Sequence, residues 1–203
     1  MNEKLSLRAK ERIAKIMEGL TPEKKREIQI SERIKSLLSE FYRGSLAPED
    51  LWRRLREFSI QDKEYIAREI QLNLIETMSL GASEEEIQKR GEGILAVEVL
   101  KRKRNTSLIE SNLNLIKSLQ KKYRKEKENV YQSLKHEFED NPELRVKTIK
   151  RGNTTMVVQL SAEEAVKQSP EWKNFVSEYE RRYHQEFIKI IERLKEEAKG
   201  REQ

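Results

Sequence analysis

The chain has 203 residues, 38% charged and only 35% apolar, with 42 Lys and Arg against 36 Asp and Glu, two His and no Cys. The lack of cysteine excludes disulfides, thiolate nucleophiles and thiolate metal sites, and no run approaches the roughly 18 apolar residues of a membrane span. The N-terminal MNEKLSLRAKERIAKIM has no continuous apolar stretch of the secretory kind, so a cytoplasmic protein is expected, and the abundance of Lys, Glu and Arg would suit a thermophile.

Leu5, Ala9, Ile13, Ile16 and Leu20 recur at helical spacing and predict a first helix ending near Gly19. Thr21-Pro22 opens the next, where Ile34, Leu37, Leu38, Phe41 and Tyr42 make a stripe that stops at Gly44. A short helix after Pro48 turns Leu51, Trp52, Leu55 and Phe58 inward. Ser59 can cap a further helix, whose Ile66, Ile70, Leu74 and Met78 share a face up to Leu80-Gly81. Ser83 with Glu86 reads as a capping box for a helix carrying Ile87, Ile94, Val97 and Leu100. Residues 1–104 are therefore expected to form an N-terminal bundle of short helices.

The second half has a different texture. Ile109, Ile116, Tyr123 and Val130 lie seven apart, flanked by Leu113, Leu119, Leu134 and Phe138. This is a thin apolar seam on a helix of about 50 Å. Between 120 and 129 only Tyr123 is apolar. Asn141-Pro142 breaks the helix, and alternation then appears in Leu144–Ile149 and Thr154–Leu160, joined through Gly152-Asn153. That pattern predicts a β-hairpin over about residues 144–160. Ser161 with Glu164 forms another capping box, and Ser169-Pro170 starts the last helix. There Trp172, Phe175, Tyr179, Tyr183, Phe187, Ile191 and Leu194 hold one face. A lone hairpin is marginal in water, so it is expected to lie on a helix, with this aromatic face to receive it, or to pair with another chain. The fold class expected is mostly α: the N-terminal bundle, then over 105–203 a long antiparallel two-helix, coiled-coil-like arm carrying one hairpin.

The sequence carries no Walker or dinucleotide loop, since Gly91-Glu-Gly93 sits inside a helical pattern with no strand before it. His136 and His184 each lack a Glu three residues earlier, so the paired motif of a di-iron bundle is missing. Acids interleave with bases, as in Arg124–Glu128, in the manner of solvated ion pairs. No Gly-x-Ser-x-Gly elbow occurs. No catalytic, cofactor, metal or small-molecule residue is assigned, and no membrane contact is expected.

The basic excess is concentrated in residues 101–125. Lys101, Arg102, Lys103, Arg104, Lys117, Lys121, Lys122, Arg124 and Lys125 face one acid, Glu110, for a net +8; the rest of the chain sums to −2 within a total of +6. The leading expectation is a non-enzymatic helical scaffold or adaptor. Its seam of Ile109, Leu113, Ile116, Tyr123, Val130 and Leu134 would serve self-association or a protein partner. The alternative is sequence-independent binding of nucleic acid through the basic segment. Lys117, Lys121, Arg124 and Lys125 fall on one side of a helix, and Lys103 and Arg104 join them only if that helix continues through Asn105-Thr106.

Overall fold

The computed structural model describes residues 19–56, 58–151 and 154–200. The predicted first helix and the Gly152-Asn153 turn lie outside the described residues. The protein is mostly helical with one small two-stranded antiparallel sheet. In chain order the elements are α1 (Pro22–Tyr42), α2 (Pro48–Leu55), α3 (Ile60–Glu76), α4 (Glu84–Glu98), α5 (Thr106–Asp140), a 3-10 turn (Pro142–Arg145), β1 (Val146–Arg151), β2 (Thr154–Gln159), α6 (Ala162–Gln168) and α7 (Pro170–Lys199).

All four prolines open a helical segment: Pro22, Pro48 and Pro170 in α1, α2 and α7, and Pro142 in the 3-10 turn. A first-turn N–H has no helical partner, so its absence there is harmless. Side chains cap several of the helices. Ser83 and Glu86 bond reciprocally at 3.0 and 3.1 Å, Ser161 and Glu164 do the same, and Ser169 accepts from the Trp172 N–H.

The chain divides into two compact units, one taking in the chain up to Leu74 together with Glu92–Arg104, the other Ile75–Gly91 together with the chain from Asn105 onward. In the first, Ile34, Leu37, Leu38 and Phe41 of α1, Leu51 and Leu55 of α2, Ile66, Ile70 and Leu74 of α3, and Ile94 and Val97 of α4 are buried. Tyr42, expected in this stripe, lies at the surface, where its hydroxyl donates to Asn73 at 2.8 Å. Trp52 is half-buried, with the Arg56 guanidinium 4.0 Å over its ring.

In the second unit α5 and α7 pack side by side. Their pairings run in opposite order along the two helices. Asn105 donates to Glu197 at 3.0 Å, Tyr123 stacks on Tyr179 at 5.3 Å, and Tyr131 meets Trp172 edge-on at 5.4 Å. The helix α6 also lies on α5, tied by Lys135 to Glu163 at 3.1 Å. In the sheet, Val146 opposes Gln159 and Ile149 opposes Met156. Leu160 N–H adds a bond to the Arg145 carbonyl at 2.9 Å. The hairpin does not occupy the aromatic face of α7, as expected from sequence; Tyr123 and Tyr131 of α5 do. Val146, Ile149, Met156 and Val157 stay exposed instead.

The two interior glycines of α4 explain themselves by packing. A Cβ on Gly93 would stand 3.0 Å from Leu74 and 3.1 Å from the Phe41 ring, inside the first unit. One on Gly91 would stand 3.3 Å from Leu113, inside the second. Helical glycine costs about 1 kcal/mol relative to alanine, so the outcome of substitution turns on whether the neighbour can yield. Gly93→Ala is expected to lower stability by about 1–2 kcal/mol, because overpacking against a buried ring outweighs the propensity gain. Gly91→Ala, facing only the end of one leucine, should fall within about 0.5 kcal/mol of the parent. Urea unfolding of the two variants measures both.

Candidate functional site

Four of the nine cations of the basic segment have partners within the chain. Lys101 is buried with its Nζ 3.0 Å from the Glu98 carboxylate, itself 1% exposed. Glu98 also accepts from Gln71 at 2.8 Å, whose amide donates a second bond to the Ile94 carbonyl at 2.9 Å. Arg104 donates to the carbonyls of Val99 (2.8 Å) and Lys101 (3.4 Å), closing the turn after α4. Arg124 donates to the Ala82 carbonyl, and one helical turn earlier Gln120 donates to those of Ser79 and Leu80 at 3.0 and 3.1 Å. Together they hold the α3–α4 loop. Lys122 lies 3.8 Å from Glu126.

Five cations remain without a hydrogen bond or ion pair among the described residues: the exposed Arg102, Lys103, Lys121 and Lys125, and the half-buried Lys117. Because α4 ends at Glu98 and α5 starts at Thr106, Lys103 and Arg104 do not share a helix with Lys117. Lys117, Lys121 and Lys125 form a row at i, i+4, i+8 on α5, about 12 Å from end to end.

The seam of α5 is covered from within the chain over its first half. Ile109 and Ile116 are fully buried and Leu113 nearly so, whereas Tyr123, Val130 and Leu134 are half-buried. Facing the second half is a ladder of rings on α7: Trp172, Phe175, Tyr179 and Tyr183, successive centroids 4.5 to 5.8 Å apart. Tyr123 sits against Tyr179 and Tyr183, and the Tyr179 hydroxyl donates to the Tyr123 carbonyl at 2.7 Å. Lys127 pairs with Glu180 at 2.9 Å. Burial, then the neighbouring Tyr183 phenol, pushes the Tyr179 phenol well above its ordinary range; burial likewise raises Tyr183. The Tyr183 hydroxyl is buried with no hydrogen-bond partner among the described residues. Sequence spacing identified these rings, but it could not show that their polar tips lie inside.

At one end of this ladder, Lys125, the last lysine of the row, meets the ring stripe. A shallow groove of about 670 Å³ is lined by Tyr123, Arg124, Lys125, Lys127, Tyr131 and Trp172. Glu128 also lines it and accepts from Gln132 at 2.6 Å. Among the described residues no cluster of three or more His, Asp or Glu is placed to hold a metal ion, and no helix is long and apolar enough to cross a membrane. His136 is exposed near Glu139 and Asp140.

Two outcomes follow from the buried groups. Lys101→Met alone strands the Glu98 carboxylate and is expected to cost about 3–5 kcal/mol, while Glu98→Leu with Lys101→Met should cost far less; chemical denaturation of the three proteins tests the pair. The raised phenols act at alkaline pH. Below about pH 10 folded and unfolded chains are both protonated, so their contribution is complete. Above it the unfolded phenols ionise first, and stability falls as pH rises. Tyr183→Phe, which removes a hydroxyl without a partner among the described residues, should be neutral at pH 7 and make the loss above about pH 10 shallower. Tyr179→Phe should cost about 1 kcal/mol at pH 7 through its lost bond.

No curated protein and no solved structure shows a significant match to the chain. A family model does match, over residues 52–199, which takes in α3 to α7, the hairpin and the ring-lined groove. The chain belongs to that family, the family of unknown function DUF6657.

Proposed function

We propose that the protein is a non-enzymatic scaffold or adaptor that binds an acidic protein partner through the β-hairpin of its coiled-coil-like two-helix arm. One observation carries this reading: the hairpin is exposed on both faces. Met156 is 55% and Val157 69% accessible, on opposite sides of the two-stranded sheet, and Val146 and Ile149 are exposed as well. A two-stranded sheet is marginal in water until something covers a face, and each of its edges leaves backbone donors and acceptors open to strand addition. The charge selects the partner. From Leu144 to Ser161 the chain carries Arg145, Lys147, Lys150 and Arg151 and no acid. A second copy of the hairpin would meet this with the same sign, whereas an acidic extended segment meets it with the opposite one. The seam, expected to drive self-association, is already covered in its first half by the chain itself, which supports placing the contact at the hairpin.

The test combines mass and cross-linking. The purified full-length chain is expected to scatter light as a monomer of 24.2 kDa. A photo-cross-linker at Val157, introduced in cells, should trap one acidic protein, and Ile149→Asp with Met156→Asp should abolish the adduct while far-UV circular dichroism is retained. A dimer of the chain, or adducts only with itself, would replace partner binding by self-association. No adduct beyond that of a control position such as Lys189 would remove the hairpin as a docking element.

A further inference from the structure

We propose that the groove between α5 and the start of α7 binds single-stranded nucleic acid, with the Lys117–Lys121–Lys125 row following the phosphates and Trp172 with Tyr131 stacking a base. The inference uses no residue of the hairpin and stands apart from the scaffold reading. It rests on a juxtaposition that the sequence left open: Lys125, the last of the unpaired row, lines one groove with the end of the aromatic stripe.

Lys121 and Lys125 are exposed and Lys117 half-buried, and none of the three has an acid or carbonyl partner among the described residues. Each step of the row advances about 6 Å along the helix, close to the reach of one nucleotide in an extended strand. At its C-terminal end Lys125 shares the groove lining with Arg124, Tyr131 and Trp172. The Arg124 guanidinium is already engaged with the Ala82 carbonyl, so the track is carried by the lysines. Trp172 and Tyr131 are both half-buried, meeting edge-on at 5.4 Å with a 70° interplanar angle. Neither ring is fully buried, so each keeps some surface open to solvent. A cationic track beside partly open rings is the arrangement by which single strands bind without sequence preference.

Duplex fits this surface less well. Its bases are already stacked and cannot reach Trp172, and three lysines on one short row touch few phosphates. Glu128 is the one acid on the lining, and Gln132 donates to its carboxylate at 2.6 Å, so it sits hydrogen-bonded beside the track. Base-edge readers are few, so the strand is taken without regard to sequence.

The chain has two tryptophans, so the Trp52→Phe protein reports on Trp172 alone. Its fluorescence is followed on titration with an oligothymidine of about ten nucleotides, a duplex of the same length, and thymidine monophosphate, at 50 and 200 mM salt. The expected result is quenching by the oligothymidine, with log affinity falling against log salt at a slope of about −2 for three lysines. Duplex and mononucleotide should bind at least tenfold more weakly. Lys117→Gln with Lys121→Gln and Lys125→Gln, all surface changes, should bring the slope near zero, measured by anisotropy of a labelled oligonucleotide. Trp172→Phe, which keeps a ring in the packing, should weaken binding a few-fold without changing the slope. Absence of binding at 50 mM salt overturns the proposal. So does duplex binding as tight as single strand with Trp172 fluorescence unchanged, which would mark the row as a general anion-attracting surface.

Discussion

The C-terminal unit depends on Tyr123. Between residues 120 and 129 it is the only apolar side chain on a helix of 35 residues. A stretch so polar can be held against a neighbour only by contacts that polar groups also satisfy. Tyr123 provides them in three ways. Its ring stacks on Tyr179 and tilts against Tyr183, its hydroxyl approaches Glu180 and Lys127, and its carbonyl accepts from the Tyr179 hydroxyl. Aromatic pairs of this geometry contribute about 0.5–1.5 kcal/mol beyond the area they bury. Around them Arg182 lies over both α7 tyrosines and reaches Glu126 at 3.4 Å. The pairing of α5 with α7 is therefore apolar where Ile109, Ile116 and Leu194 are buried, and aromatic and charge-assisted further along.

That change of chemistry along one helix pair has a consequence for specificity. Leucine and isoleucine accept many partners and many registers, whereas a tyrosine donating to one particular carbonyl accepts one. A slide of α7 by a residue would break the Tyr179–Tyr123 bond and separate Lys127 from Glu180. The cost of each is modest, about 1 kcal/mol for a hydrogen bond and less for an exposed ion pair. Together they make one register preferred where a thin seam would leave several nearly equal.

Much of the fold was legible because its signals are local. Prolines at helix starts, Ser–Glu capping boxes, the alternation of Leu144–Ile149 and the seven-residue spacing from Ile109 each depend on neighbours within a few residues, and the elements stand where those patterns put them. What could not be read depends on residues distant in sequence. Lys101 is one of four consecutive basic residues, and nothing in that run separates it from Arg102; only the buried Glu98 and Gln71 do. Arg124 looks like one more cation on a polar helix, yet a loop more than 40 residues earlier supplies its acceptor. Gly91 and Gly93 gave no loop motif, and their reason is the approach of Leu113 on one side and Phe41 with Leu74 on the other. Charge counted along a sequence measures the field at long range, but it does not say which charges are already spoken for.

This distinction changes what the basic segment means. A net +8 over 25 residues reads as a broad anion-attracting surface. Lys101 satisfies a buried carboxylate, Arg104 and Arg124 satisfy backbone carbonyls, and Lys122 lies near Glu126. Arg104 and Arg124 still add to the distant field, since a hydrogen bond to a neutral carbonyl leaves the cation's charge intact, whereas Glu98 and Glu126 offset Lys101 and Lys122. These four cations add nothing to contact, because a guanidinium or ammonium already placed cannot reorganise around a phosphate without losing its existing bond. Attraction from afar and adhesion at contact therefore draw on different residues. The field draws on the arginines bound to carbonyls as well, while contact falls to the cations whose side chains have no partner among the described residues, Lys117, Lys121 and Lys125 among them. Contact at this surface would then be small per phosphate and need something uncharged beside it, and Trp172, which shares the groove lining with Lys125, is a group able to supply it.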